Sequence, residues 1–289
     1  MVNMLEYNLR KSDKVTVVVP VFNGQSFIIN ALDSLAEQTY QNLQVIIVDD
    51  GSTDGTSKLC KLWCETHAGF EYHFQANAGI SAAINLGISL ADGKYIARMD
   101  ADDIADRTRV SKQVEYLDKN SDVDIVSSGY TPFFNEDEFL PPVIHPSNPK
   151  VIALLLCFCS PVCHPSVMAR TEVFDKYRYS SSAVAEDHDL WCRLASTHKI
   201  GNISESLLFY RLHSNSLTKR KFSKIRWATL AGGFSYYLQN YNLFHDLDYK
   251  TCISQLQPCH TIRKIPAILI LTLAKFSYFL TMRLHDKIV

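Results

Sequence analysis

Glycine and proline are scarce in this 289-residue chain, eleven and ten copies, which excludes collagen-like and linker-like sequences. No segment recurs at a period of roughly 20–50 residues, so a solenoid is excluded as well. An excess of either charge is lacking: 29 Lys and Arg face 30 Asp and Glu, for a net of −1. A chain so balanced is no general nucleic-acid binder. The N-terminal segment lacks the apolar core of a signal peptide and carries Glu6, Arg10, Lys11, Asp13 and Lys14. It predicts a cytoplasmic chain whose eight cysteines stay reduced.

The apolar run Ile265–Leu280 stops at sixteen residues, Lys275 among them. That is short of the roughly 20 that a membrane-crossing helix needs. Arg263, Lys264, Arg283 and Lys287 flank it, the pattern of an interfacial helix. A core-packing C-terminal helix is the alternative. Residues 215–289 hold eleven Lys and Arg against three Asp and Glu, a net of +8, and the rest of the chain carries −9. An acidic body with a basic tail suggests peripheral contact with the inner face of a membrane.

What the chain does have is 47% apolar and 20% charged residues, a globular composition. Its length fits one large α/β domain, or a domain of about 200–250 residues with an appendage. Strand and helix signals alternate at first. Lys14–Pro20, Leu43–Val48, Phe70–Gln75 and Tyr95–Met99 read as strands; Ser26–Gln38, Gly55–Glu65 and Ile80–Ala91 between them read as helices. This order predicts a Rossmann-like, mostly parallel sheet flanked by helices. Farther on, helices are expected over Arg109–Asn120, Val151–Phe158 and Asp187–Thr197, and strands over Val123–Ser128, Pro165–Ala169 and Ser206–Leu212. Phe133–Pro149, with four prolines and three acids, reads as a loop. A last helix is expected from about Lys219 to Tyr241.

Ligands of open parallel sheets bind beyond the carboxyl ends of the strands. Here those ends lead into Pro20-Val21-Phe22-Asn23, Asp49-Asp50-Gly51-Ser52 and Asp100-Ala101-Asp102-Asp103. Five acids on one edge ask for a cation or a hydroxyl-rich ligand. Carboxylates at i and i+2 of a tight turn can share a hard divalent ion, Mn²⁺ or Mg²⁺, which would bridge to the phosphates of a nucleotide. Asp49 and Asp50 could instead cap the helix that starts near Asp54. Cys157, Cys159 and Cys163 beside His164 match no usual zinc spacing, and buried thiols are the plainer reading.

The segments Val17–Asn23, Val48–Thr56, Asn77–Ile80 and Met99–Asp103, then His164-Pro165-Ser166, Glu186–Trp191 and Tyr210–His213, occur in one order. Together they closely resemble the family 2 glycosyltransferases, over roughly residues 13–215. The resemblance implies a GT-A fold, a nucleotide-sugar donor, inversion at the sugar carbon and a divalent metal. It implies a nucleotide-sugar pocket lined by Pro20, Phe22, Asn23, Asp49, Asp50, Asn77, Gly79, Asp100, Ala101 and Arg109. Asp102 would ligate the metal, with His213 near it or the diphosphate. Asp187 would be the general base. His164, Glu186 and Arg211 are further candidates, and His188 a bystander. Where many members carry Pro after the acidic turn, this chain has Arg107.

The expected organisation is a transferase domain over 1–215, with a nucleotide-sugar half at about 13–105 and an acceptor half at 106–215. A basic helical extension over 216–289 follows. The donor expected is a UDP-sugar, and the acceptor a saccharide or lipid-linked saccharide of surface polysaccharide or lipopolysaccharide-type synthesis. The alternative is a non-catalytic module of the same fold in a membrane glycan-assembly complex. A haloacid-dehalogenase-like phosphatase places its D-x-D after the first strand, whereas here it follows the fourth. A dinucleotide dehydrogenase would need a Gly-rich phosphate loop where Pro20–Asn23 stands. Oligomeric state has no signature in the sequence.

Overall fold

A computed structural model of the chain describes residues 13–135 and 137–213, and beyond them 224–225, 228–229, 231–233 and 235–236. Four strands come first: β1 (Val15–Val21), β2 (Leu43–Asp50), β3 (Phe70–Gln75) and β4 (Tyr95–Arg98). Helices α1 (Ile28–Ala36), α2 (Thr56–Thr66) and α3 (Ile80–Leu90) connect them. Every residue of β1 is buried, as its Val-rich composition requires of a central parallel strand. Then come β5 (Ile104–Ala105), α4 (Arg109–Lys119), β6 (Ile125–Asn135), β7 (Glu138–Phe139) and α5 (Pro149–Leu155). A 3-10 turn (His164–Ser166), β8 (Met168–Arg170), α6 (Val173–Lys176), α7 (Glu186–Leu194) and β9 (Ile200–Arg211) complete the sequence of elements.

One sheet joins them in the order β3-β2-β1-β4-β8-β6-β9-β5, with β7 paired to β6. The strands β1 to β4 pair in parallel. β8 is antiparallel to both β4 and β6, and β6 is parallel to β9. The reversed β8 therefore turns β6 and β9 back into the direction of β1–β4. All six of these strands end on one edge.

Helices cover both faces. Val15, Val17 and Val19 of β1 pack with Leu32, Leu35, Val110 and Leu117 on one side. Val18, Ile84, Ile96, Leu156, Trp191 and Leu194 pack on the other. Tyr236, 3% exposed, belongs to that second core, and a Cβ on Gly233 would stand 2.5 Å from the Cys157 carbonyl oxygen. The described residues beyond 215 therefore pack on α5 and α7 rather than forming a separate body. Most of the expected extension, including the apolar run 265–280 and with it the membrane-facing reading, lies outside the described residues. Among the described residues no helix is long and apolar enough to cross a membrane.

The first four strands lie where their β-branched runs put them. Three expectations are corrected. The strand begun at Val123–Ser128 runs on to Asn135 and makes a hairpin with β7, so part of the expected loop 133–149 is sheet. The strand expected over Ser206–Leu212 begins six residues earlier, at Ile200. The strand expected from Pro165 begins at Met168, because His164-Pro165-Ser166 turn as a 3-10 helix closed by the Val167 N–H on the His164 carbonyl.

Candidate active site

The shared strand edge is built from three loops. After β2, Asp49 is fully buried and accepts hydrogen bonds from the Ser52 N–H at 2.8 Å, the Tyr72 hydroxyl at 2.8 Å and the Ser57 hydroxyl. Burial pushes its carboxyl up, but these donors pull it below its ordinary value. Asp50 accepts from Gln75 Nε2 and from the backbone N–H groups of Ala78 and Gly79. Gly79 has φ +90°, a backbone conformation suited to glycine, and its N–H thereby reaches Asp50. The Asn77 amide donates to the Asp50 carbonyl. Asp49 and Asp50 thus build the loops around the pocket with their carboxylates. The helix-capping alternative falls to Asp54, which accepts from the Thr56 N–H at 3.0 Å.

After β1, Pro20 is buried, while Phe22 is 52% exposed. Asn23, with φ 51°, accepts from the Thr53 N–H and donates its own N–H to Ser52. These residues hold the β1 and β2 loops together and leave the Phe22 ring on the surface of the edge.

After β4 comes the acidic turn. Asp100, Asp102 and Asp103 each offer an oxygen, and those oxygens lie within 4.8 Å of one another. Asp100 is forked by Arg98, with Nη1 to Oδ2 at 2.9 Å and Nη2 to Oδ1. Ala101 lies half-buried between Asp100 and Asp102. Asp103 is buried, accepts from the Arg211 N–H at 2.9 Å, and has an Oδ2 without a partner among the described residues. Asp102 is the most open, its side chain 32% exposed. Because β9 ends on this edge, His213 arrives there too, its Nε2 2.8 Å from Asp102 Oδ2. Arg211 donates Nε to the Asp102 carbonyl, and its guanidinium lies over the rings of Phe27 and Phe133.

The second half supplies Asp187 in the first turn of α7. Burial pushes the Asp100 carboxyl up, Arg98 pulls it down, and the charges of Asp102 and Asp187 leave it above its ordinary value. Asp103 is raised well above its ordinary value by burial, then by Asp100 and Asp102. Glu186 is raised by burial and by Asp187. Burial is the largest cause at all three carboxyls. The exposed oxygens of the turn are hard donors. The set fits Mn²⁺ or Mg²⁺, with Asp102 the accessible ligand.

Other expected residues stand behind the edge. Arg109 is 1% exposed, bonds the Arg98 carbonyl at 2.6 Å and Gln113 at 3.1 Å, and so braces the root of the acidic turn. Expected among the residues of the nucleotide-sugar pocket, it lies buried at the base of the acidic turn. Gln113 in turn donates to the Ser166 carbonyl. His164 is buried with Nε2 2.8 Å from the Tyr179 hydroxyl, and burial holds it well below its ordinary value, hence neutral. His188 is buried against the Leu156 carbonyl. Among the described residues the carboxylate triad is the one group gathered as metal ligands, and the six described cysteines are free. Sequence reasoning left Arg98, Tyr179 and Gln113 unassigned. An arginine inside the apolar strand Tyr-Ile-Ala-Arg-Met was the available signal.

Comparison with known proteins shows the family and the fold. The profile of Glycosyl transferase family 2 matches residues 16–178. The Escherichia coli O-antigen biosynthesis glycosyltransferase WbnJ is 30% identical over 217 residues, 73% of this chain and 85% of that protein. An uncharacterized glycosyltransferase of Rickettsia bellii is also 30% identical, over 75% of this chain, which spans only 31% of that longer protein. The crystal structure of Staphylococcus aureus TarS 1-349 in complex with UDP-GlcNAc has TM-score 0.61 at 17% identity, covering 84% of this chain and 79% of that one. The mannosyltransferase PcManGT from Pyrobaculum calidifontis, in complex with GDP-Man and Mn²⁺, has TM-score 0.58 at 18% identity, covering 96% and 88%. The fold is the GT-A fold expected from the sequence.

Proposed function

The chain belongs to glycosyl transferase family 2, and from that premise we propose that it is an inverting, metal-dependent glycosyltransferase using a nucleotide-sugar, with a UDP-sugar favoured. The observation that carries the reading is the acidic turn, where oxygens of Asp100, Asp102 and Asp103 lie within 4.8 Å of one another and His213 reaches Asp102. Asp187, in the first turn of α7, is the carboxylate proposed as base.

In the proposed reaction the acceptor hydroxyl gives its proton to the Asp187 carboxylate. The acceptor oxygen bonds the sugar's anomeric carbon on the face opposite the leaving group. The bond from that carbon to phosphate breaks, and its electron pair leaves with the nucleoside diphosphate. A single displacement inverts the carbon. Asp187 supplies the general base, and Phe22, Asn23 and the loops built by Asp49 and Asp50 hold the nucleoside for in-line attack. Asp102 would hold Mn²⁺ or Mg²⁺, with His213 on its other side; when bound, the ion stabilises charge on the diphosphate. The acceptor proposed is a saccharide or lipid-linked saccharide, supported by the O-antigen role in the name of WbnJ. The full set Asp100, Asp102 and Asp187 argues against a non-catalytic module.

A thermal-shift panel of nucleotide sugars, with and without Mn²⁺, tests the reading. A ligand that binds only the folded chain raises Tm by mass action. A shift with a UDP-sugar that needs Mn²⁺ and is lost in Asp102→Ala is the expected result. The same shift in Asp102→Ala would remove this residue from the donor site.

A further inference from the structure

Arg98 ends β4 and is 5% exposed. Its backbone is fixed on both sides: its N–H donates to the Val167 carbonyl at 2.9 Å, and its carbonyl accepts from Arg109 at 2.6 Å. Its guanidinium forks both oxygens of Asp100, two residues on. A planar fork on a carboxylate is the strong, oriented form of the pair. The two carboxylates of the D-x-D therefore differ. Asp100 is covered by a fixed positive charge. Asp102, one residue past Ala101, takes a side-chain hydrogen bond only from His213 among the described residues.

A divalent ion placed on an oxygen of Asp100 would sit beside the Arg98 charge, with Coulomb repulsion strengthened by burial. We infer that Arg98 is a positioning residue that withholds Asp100 from the metal, leaving Asp102 as the metal-binding carboxylate of the turn. Asp100 keeps lone pairs on the far side of the fork, aimed away from Arg98 and available to hydroxyls of the donor. The inference rests on the transferase reading of the same site. It makes the arginine before the acidic turn as much a part of the site as the acids.

Titration of the full chain with Mn²⁺ alone, followed by electron paramagnetic resonance at neutral pH, tests it. In the parent chain, Asp102→Asn should abolish binding and Asp100→Asn should leave affinity within about twofold. Arg98→Gln should bind Mn²⁺ about tenfold more tightly, since a cation is removed and a carboxylate released. That gain should vanish in the double variant Arg98→Gln with Asp100→Asn. A purely structural role for Arg98 predicts no gain. If Arg98→Gln does not fold, Arg98→Lys carries the test: its single ammonium leaves one Asp100 oxygen open, giving a smaller gain that again depends on Asp100. Equal loss in Asp100→Asn and Asp102→Asn, no gain in either Arg98 variant, or a gain surviving Asp100→Asn overturns the inference while the metal site stands. A parent chain that binds no Mn²⁺ overturns both.

Discussion

Burial and the charge of Asp187 push Glu186 up, and Asp187 is the next residue in the first turn of the same helix. Asp187→Asn should lower kcat by about 10²–10⁴, the usual weight of a general base. Tm and donor affinity should stay at parent values, and a kinetic and calorimetric comparison checks all three. Wild-type turnover in that variant would remove Asp187 from the mechanism. His145 offers a second test at this scale. It is 7% exposed, its Nδ1 has no partner among the described residues, and burial pushes it down to about 4. A histidine lowered in the fold contributes stability that is present above its unfolded value near 6.5 and is lost as pH falls toward 4. Between pH 7 and pH 5 the loss is about 2 kcal/mol. Urea denaturation of the parent and of His145→Asn at both pH values should show their stability difference changing by about that amount. Residues of this kind were hard to find in the sequence. Arg98 and His145 look like surface residues until the chain buries them, whereas Asp100 and Asp102 announce themselves by spacing.

Elements were legible in proportion to how plainly their burial shows in composition. β1 and β2 are mostly apolar and almost wholly buried, and their limits agree with the sequence to within two residues. β6 continues through Ser127, Ser128 and Gly129, residues of weak strand propensity kept in the sheet by pairing with β9. Propensity alone ends that strand too soon; long-range pairing extends it. The packing of α3 on β1 has a sharper signature. A Cβ on Gly87 would stand 2.3 Å from Val18 Cγ1, so only glycine lets this helix approach its strand so closely. Gly87→Val should cost about 1–3 kcal/mol through overpacking. Its urea midpoint should fall with an unchanged m-value.

For the whole molecule, charge changes sign near the boundary expected at residue 215, and Tyr236 beyond it lies in the core of the preceding elements. The acidic body and basic tail differ in composition, yet Tyr236 completes the core around Trp191. Tyr236→Ala should lower stability by about 3 kcal/mol, as truncation of other buried aromatics does. A denaturation midpoint equal to the parent's would show that this residue adds nothing to the core.

The position of β9 has a consequence for how the protein is made. It is the last strand among the described residues, yet it lies inside the sheet between β6 and β5. During synthesis β1–β4 can pair before β9 is made, because all four lie within the first hundred residues. The acidic turn cannot take its final form then. Asp103 waits for the Arg211 N–H, Asp106 donates its N–H to the Leu207 carbonyl, and Asp102 waits for His213. Contacts that close such long loops form late. The nascent chain therefore carries paired β1–β4 strands and an unfinished acidic turn until β9 joins the sheet.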